Sequence, residues 1–168
     1  MVKAFHDRKI GVVMDVVFNH TFKTYDSNLN TLAPSYYHRT NPDGSFSNGS
    51  GCGNELASEK PFVRKLIIDC LKYWVKEYKI DGFRFDLMAL VDLETIKIAI
   101  KELRKIKPNI LIYGEPWMAL STPLSRDQQI WKGSQRSNNF AVFNDDFRDA
   151  IKGDVNSYGK GYIQGIYS

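Results

Sequence analysis

The chain has 168 residues, of which 43% are hydrophobic and 25% charged, with a formal net charge of +4. This composition is typical of one globular domain with a real core, and it excludes disordered and collagen-like classes. The basic residues are spread along predicted helices instead of forming a stripe, which argues against a nucleic-acid partner.

No apolar run is long enough to span a membrane, and the first residues lack the apolar core of a secretion signal. We therefore expect no membrane partner, and a cytoplasmic location is slightly favoured although the compartment stays open. Cys52 lies in a Gly-rich loop and Cys70 on the apolar face of a predicted helix, so we expect neither a disulfide nor a metal site.

The first predicted strand covers residues 10–18, which are nearly all apolar and rich in β-branched side chains. Such a run is typical of a strand buried on both faces of a parallel sheet. Asp15 interrupts it, and His20 follows its end. Asp15 is therefore either a structural acid with satisfied hydrogen bonds or part of a site at the carboxyl end of the strand.

Residues 21–58 are rich in Asn, Ser, Gly, Pro and Tyr, and this stretch is too long for an ordinary connection. Loops of this length are usually functional. Within it, Tyr37 could offer an aromatic face to a ligand, or could belong to a small hydrophobic pin that holds the loop to the domain. The pin is the favoured interpretation. Residues 51–55 are only superficially similar to a phosphate-binding loop, because they lack a third glycine and a preceding strand.

A helix is predicted to begin near Ser58, with Pro61 in its first turn, and its apolar residues recur every three or four positions up to Tyr78. A second helix is predicted from an Asp92 cap to Pro108. Between the two helices lies the predicted central strand, within residues 80–90.

The central strand carries Arg84 and Asp86 two residues apart, so both side chains leave the same face. The fixed positive charge of Arg84 favours the ionised form of Asp86. An ionised, oriented carboxylate on a rigid strand suits a nucleophile. The alternative is a structural Arg–Asp pair at a strand end.

The third predicted strand begins at Ile110 and ends in Glu115, followed by Pro116 and Trp117. We expect this aromatic surface to shelter the carboxyl group from water, which favours its protonated form. The alternative is a loop acid in water. A polar loop, a short fourth strand and a helix start are predicted over residues 118–138, 139–143 and 145–152.

Strands and helices alternate, which predicts an α/β fold with parallel strands and helical crossovers. Such folds place chemistry at the carboxyl ends of the strands, so Asp15, Asp86 and Glu115 are expected on one rim. Two carboxyl groups in different surroundings can divide into a nucleophile and an acid/base. A retaining glycosidase needs that division, with the groups about 5 to 5.5 Å apart.

Residues 15–20 (DVVFNH), 82–86 (GFRFD) and 113–117 (YGEPW) resemble three of the four catalytic motifs of the α-amylase family of glycoside hydrolases, in order. Residues 51–54 (GCGN) and 141–153 (AVFNDDFRDAIKG) are similar, more narrowly, to type I pullulanases, which hydrolyse α-1,6 links. Glu55 stands where an Asp is expected in that group.

This resemblance implies that Asp86 is the nucleophile and Glu115 the general acid/base. It also implies an α-glucan polysaccharide or oligosaccharide as the partner. Arg84 would orient Asp86, while the subsite and sugar-stacking residues would be Asp15, His20, Tyr37, Trp117 and Trp131. No cofactor is required, but some family members bind a structural calcium near the position of Asn19.

The fold implied is a partial (β/α)8 TIM barrel, in which residues 1–168 are a fragment of the catalytic domain that lacks the first and last strands. A closed barrel takes about 250 residues, and the fourth motif with its third carboxylate is not found after Glu115. We therefore expect the isolated chain to be inactive and prone to associate.

Three alternatives remain at this stage. The chain could belong to another α-glucan-acting enzyme, such as an isoamylase or a branching enzyme. It could be a non-catalytic glucan-binding relative. It could also be a self-contained doubly wound domain with a small-molecule site, if its strands form a complete sheet.

Overall fold

A computed structural model describes residues 1–166, which contain one four-stranded sheet with every neighbouring pair parallel. The strands follow one another across the sheet in chain order. Asp15 on the first strand is in register with Arg84 on the second, and Arg84 with Tyr113 on the third. The strands are β1 (Val13–Val16), β2 (Gly82–Phe85), β3 (Leu111–Gly114) and β4 (Ala141–Val142).

The two long helices are the crossovers between the first three strands and pack against each other. In the described part of the chain, residues 115–140 between β3 and β4 form turns without a helix. The helices are α1 (Val2–His6), α2 (Asn28–Leu32), α3 (Pro61–Tyr78), α4 (Leu93–Arg104) and α5 (Asp145–Lys152), with 3-10 turns at Met88–Leu90 and Tyr162–Gln164.

The predicted start of α3 at Ser58 is wrong, because the helix begins at Pro61. A proline fits the first helical position, where its missing N–H would be unsatisfied anyway. Ser58 instead serves the next helix: its hydroxyl accepts from Asp92 N, and its carbonyl accepts from Thr95. Asp92 does cap α4 as predicted, accepting from Thr95 N at 3.0 Å, but that helix ends at Arg104 and not at Pro108.

The core lies between one face of the sheet and the helices α3 and α4, and Phe83, Phe85 and Ile112 contribute to it from the strands. The other face is open. Val13, Val17 and Leu111 are 39%, 52% and 48% exposed. The prediction that the first strand is buried on both faces is therefore wrong, because the described residues supply no layer over this side.

A sheet covered by helices on one face only, with parallel strands and helical crossovers, has the layout of part of a (β/α)8 barrel, as predicted. Within residues 1–166, no strand pairs with the outer edge of β1 or of β4. The central βα units are present as an open sheet, so the alternative of a complete doubly wound domain is not supported.

The long loop of residues 21–58 is folded onto the domain. Its middle forms isolated strand bridges, and His38 and Glu55 are fully buried. The ring of Tyr36 packs edge-on against Tyr37 at 5.4 Å and lies 6.1 Å from Phe62 on α3. The predicted hydrophobic pin is confirmed by these contacts.

Both cysteines, Cys52 and Cys70, are free, as expected. Among the described helices, none is long and apolar enough to cross a membrane.

Candidate active site

The carboxyl ends of β1, β2 and β3 bring three acidic side chains to one place. The register sets Asp15 beside Arg84, and Asp86 and Glu115 follow the ends of β2 and β3. Gly114 lets the third strand come close enough, because a Cβ there would lie 2.6 Å from the carbonyl oxygen of Phe85. The structure thus brings together the three acids that the sequence predicts on one rim.

One guanidinium group joins these acids. Arg84 Nη1 donates to Asp15 Oδ1 at 2.9 Å and to Asp86 Oδ1 at 3.0 Å, and Nη2 donates to Glu115 Oε1. Partial burial opposes the charged form, but the three acidic partners outweigh burial and raise the pKa of Arg84 above its ordinary value. A single cation therefore holds three carboxyl groups, and the cluster carries more acidic than basic groups.

Asp86 is held from its second oxygen as well. The side-chain amide of Asn19 donates to Asp86 Oδ2 at 3.0 Å and to the Asp86 carbonyl at 2.8 Å. Asn19 is fully buried, and its Oδ1 contacts Nδ1 of His20 at 2.5 Å. With both oxygens fixed, the Asp86 carboxyl group has one orientation, as a nucleophile requires.

The sequence did not predict that Asn19 would hold Asp86. The available signal was its place directly after a strand, where a buried amide needs partners.

Glu115 is held differently from what the sequence predicts. Its Oε2 accepts from the backbone N–H of Leu87 at 2.9 Å, and its Oε1 accepts from Arg84. Polar donors thus contact both oxygens of the carboxyl group, and its shelter by Trp117, whose ring lies 6.1 Å from that of Phe143, stays a prediction.

Leu87 aims its N–H at Glu115 from the left-handed region, with φ 38° and ψ 52°. This conformation is strained for a leucine, and strain of this kind is concentrated at functional sites. The turn after β2 therefore fixes Asp86 and Glu115 together.

An aromatic group borders the carboxyl cluster. Phe143 follows β4 and lies 5.7 Å from Tyr113 and 6.1 Å from Trp117, and the guanidinium of Arg84 stands 5.8 Å from its ring. Phe143 was not predicted as a site residue. The signal that could have found it is its position directly after the fourth strand, on the same rim as the acids.

The other two predicted aromatic residues have different surroundings. Tyr37 belongs to the pin described above. Trp131 has the guanidinium of Arg126 over its ring at 5.0 Å, and the backbone of Gly133 lies close against it. Sugar contacts by Tyr37 and Trp131 stay predictions without a supporting contact.

The surroundings of Asn19 test whether a calcium ion fits there. Both polar atoms of its side chain are already engaged, by Asp86 and by His20. In the part of the chain that the structure describes, no group of three or more His, Cys, Asp or Glu side chains could hold a metal ion. A structural calcium ion near Asn19 stays a prediction of the resemblance, and we assign no catalytic role to a metal.

The chemistry that this arrangement allows follows from its two carboxyl groups. Asp86 and Glu115 hydrogen-bond to opposite nitrogens of one guanidinium, so a short gap separates them. Retaining glycosidases need two carboxyl groups about 5 to 5.5 Å apart, one to attack and one to transfer a proton. The shared guanidinium of Arg84 supplies two neighbouring carboxyl groups that could divide these roles.

Comparison with known proteins agrees with this geometry. No protein-family model matches the chain. A pullulanase of Bacillus subtilis (strain 168) is 42% identical over 156 residues, which are 92% of this chain and 22% of that protein. Isoamylase 1 of Oryza sativa subsp. japonica is 45% identical over 94 residues, 54% of this chain and 12% of the isoamylase.

Solved structures give the same result. Pullulanase from Bacillus acidopullulyticus superimposes with a TM-score of 0.96 at 44% identity, over 98% of this chain and 20% of the pullulanase. The type I pullulanase of Bacillus subtilis str. 168, solved with maltose, has a TM-score of 0.93 at 40% identity, over 98% and 23% of the two chains.

The present chain therefore spans about a fifth of the length of the pullulanases it matches. Within that span the likeness covers strands, crossovers and the three acidic motifs. The chain is a homologue of part of the type I pullulanases.

Proposed function

We propose that the chain forms the central part of the catalytic barrel of a debranching enzyme that hydrolyses α-1,6-glucosidic links in pullulan and branched α-glucans. The observation that carries this proposal is the pair Asp86 and Glu115 on one guanidinium. The homologues are pullulanases and isoamylases, and one related pullulanase was solved with maltose, which supports an oligosaccharide partner.

In the proposed reaction Asp86 attacks the anomeric carbon of the sugar. The glycosidic C–O bond breaks as Glu115 gives its proton to the leaving oxygen, and a covalent glycosyl–Asp86 ester forms. Glu115 then takes a proton from water. The water oxygen attacks the same carbon and releases Asp86, so the anomeric configuration is retained.

The remaining residues of the site bind and orient. Arg84 and Asn19 fix the two oxygens of Asp86, so no reorientation is needed for attack. Asp15 and His20 shape the subsite for the attacked sugar. The rings of Trp117 and Phe143 offer aromatic surface beside it, on which a sugar can stack.

We propose further that residues 1–168 are only part of a barrel and that the chain alone is inactive and associates. The support is the open sheet face with exposed Val13, Val17 and Leu111. In isolation this apolar surface would meet water or another copy. Sedimentation of the 168-residue chain should show oligomers, and pullulan should not release reducing sugar. A monodisperse, active monomer contradicts both expectations.

An isoamylase activity is the second candidate, and the 45% identity to the rice isoamylase over 94 residues favours it. Product analysis on pullulan and on glycogen separates the two. Linear maltotriose from pullulan supports the pullulanase, and debranching of glycogen without attack on pullulan supports the isoamylase.

The decisive experiment substitutes Asp86→Asn in the product of the complete gene. Hydrolysis of pullulan should fall by at least about 10³-fold while oligosaccharide binding is kept, because the amide cannot form the ester. Asp69→Asn is the matched control, since Asp69 is on the solvent side of α3 and pairs with Lys65. A variant at Asp86 that hydrolyses at the unmodified rate contradicts the proposal, and unmodified protein that binds glucan without cleaving it supports a non-catalytic relative.

A further inference from the structure

A second charged cluster, centred on Arg39, contacts the loops that carry the carboxyl groups. Arg39, in the long loop after β1, is only 4% exposed. Burying a guanidinium is costly unless acids and hydrogen-bond acceptors surround it. Its partners therefore show what the buried charge is used for.

The Arg39 guanidinium contacts all three loops that leave the first three strands. Nη1 pairs with Glu55 Oε1 at 3.2 Å, within its own loop. Nη2 donates at 3.3 Å to the carbonyl of Leu90, four residues after Asp86. Nη1 also donates at 3.3 Å to the hydroxyl of Thr122, seven residues after Glu115.

The two acids of the cluster complete the connection. Glu59, next to the start of α3, accepts from Arg39 Nη2 at 2.7 Å. Glu55 is fully buried, and its Oε1 accepts from the hydroxyl of Thr122 at 2.6 Å. The Thr122 hydroxyl is therefore held by Arg39 and by Glu55.

The backbone adds a link at the same place. The carbonyl of Gly49 accepts from the amides of Ala119 and Leu120 at 3.0 Å each. A Cβ on Gly49 would overlap Oε2 of Glu55, so any larger residue there would force the buried acid to move. The buried acid thus packs against the backbone that receives the loop after Glu115.

We propose that Arg39 is a positioning residue, which together with Glu55 and Thr122 sets the loop after Glu115 against the turn after Asp86. Arg84 contacts the two carboxyl groups themselves, and Arg39 contacts the two loops that follow them. The described contacts of Arg39 run to Glu55, Glu59, Leu90 and Thr122 and not to the catalytic carboxyl groups, so the cluster acts through the placement of Glu115 and Trp117. This inference rests on the proposed function for its catalytic consequence.

The matched pair of variants is Thr122→Val and Thr95→Val in the product of the complete gene. Each replaces a hydroxyl that accepts from an arginine and donates to an oxygen: Thr122 with Arg39 and Glu55, Thr95 with Arg64 and the Ser58 carbonyl. The described hydrogen bonds of the Thr95 side chain run to Arg64 on α3 and to Ser58 before it, and not to the loop after β3. The shape of the side chain is nearly kept in both.

Thr122→Val should lower kcat on pullulan about tenfold with KM changed less than twofold, because a displacement of about 1 Å far from the chemistry can cost up to about 10²-fold. Thr95→Val should leave kcat unchanged at a temperature where both variants are folded. Equal losses of kcat in the two variants, or none in Thr122→Val, overturn the proposal.

Hydrogen exchange tests the same inference without relying on activity. In Thr122→Val the amides of Ala119 and Leu120 should exchange at least about tenfold faster, while those of α4 keep their rates. In Thr95→Val the pattern should reverse. Unchanged exchange at Ala119 and Leu120 overturns the positioning role even in an active enzyme, and an inactive unmodified enzyme with the expected exchange pattern overturns only the proposed function.

Arg39→Lys gives a third measurement. Lysine keeps the charge but lacks the planar fork that reaches Leu90 and Thr122 together. Its kcat should therefore fall at least as far as that of Thr122→Val. A lysine variant with unmodified kcat and unmodified exchange at Ala119 contradicts the inference.

Discussion

A charged cluster lies at each end of the sheet, and the central charge is positive in one cluster and negative in the other. At the carboxyl end, one cation, Arg84, contacts three acids. At the amino end, one acid, Asp81, contacts the ring of His6 at 2.7 Å, the amine of Lys107 and the backbone N–H of Val12 at 2.6 Å. The first cluster has acids in surplus, and the second has donors in surplus.

This difference indicates which end is built for stability and which for chemistry. Partial burial opposes ionisation of Asp81, but Lys107, the Val12 N–H and His6 outweigh it and lower the pKa of Asp81 to about 2. The acid is fully satisfied, and it ties α1, the start of β1 and the end of α4 to β2. At the carboxyl end the surplus of acids leaves carboxyl groups for the proposed reaction, and this is the end at which barrels of this kind carry their active sites.

Arg84→Met should have the largest effect on activity at the carboxyl end of the sheet. It removes the one cation from three carboxyl groups and leaves Asp86 and Glu115 without their shared donor. We expect kcat/KM on pullulan to fall by about 10³-fold, measured by reducing-sugar release. Arg64→Met is the control, because Arg64 pairs with Asp92 between two helices and its loss should affect stability more than turnover.

Asn19→Leu should have the next largest effect. Leucine has nearly the same size but cannot donate to Asp86, which would then keep only the contact with Arg84. We expect kcat to fall about 10²-fold with little change in KM, because attack depends on the orientation of that carboxyl group. A fall in KM alone, or an unmodified kcat, would show that Asn19 does not orient Asp86.

Asp81→Asn should act on stability instead of turnover. The folded pKa of about 2 against an ordinary value of 3.8 corresponds to about 2 kcal/mol of unfolding free energy at pH 7. Denaturant unfolding should show a loss of that order, and kcat of the folded enzyme should be unchanged. Asp7→Asn is the control, because the exposed pair of Asp7 with Lys3 contributes little.

The pH dependence of this effect has a defined sign. The pKa of Asp81 is depressed on folding, so its stabilisation is fully present above pH 3.8 and is lost as the pH falls through about 2. The difference in unfolding free energy between the unmodified protein and Asp81→Asn should shrink over that window. A difference that grows as the pH falls would contradict the Asp81 assignment.

Local sequence patterns predict much of this molecule. The two-residue spacing of Arg84 and Asp86, the Asp92 cap and the alternation of strands and helices depend on neighbours in the chain, so the fold class and the three acids on one rim could be inferred. The pin formed by Tyr36 and Tyr37 was also favoured beforehand.

The rest depends on contacts between distant residues. Asn19 meets Asp86 across 67 positions, and Arg39 meets Thr122 across 83, so no periodicity indicates either contact. The exposure of Val17 could not be inferred, since an apolar strand has the same pattern whether or not a second layer covers it. The polar surroundings of Glu115 were missed because Leu87 points its N–H there only through an unusual backbone conformation.

The most direct test of the two-carboxyl site is to trap the glycosyl ester. Glu115→Gln in the product of the complete gene slows breakdown of the ester, and a fluorinated maltosyl fluoride supplies a leaving group that needs no proton. Peptide mass spectrometry should find the sugar on the peptide that contains Asp86. A sugar attached to another residue, or turnover with inverted configuration and no ester, would contradict the assignment of Asp86 as the nucleophile.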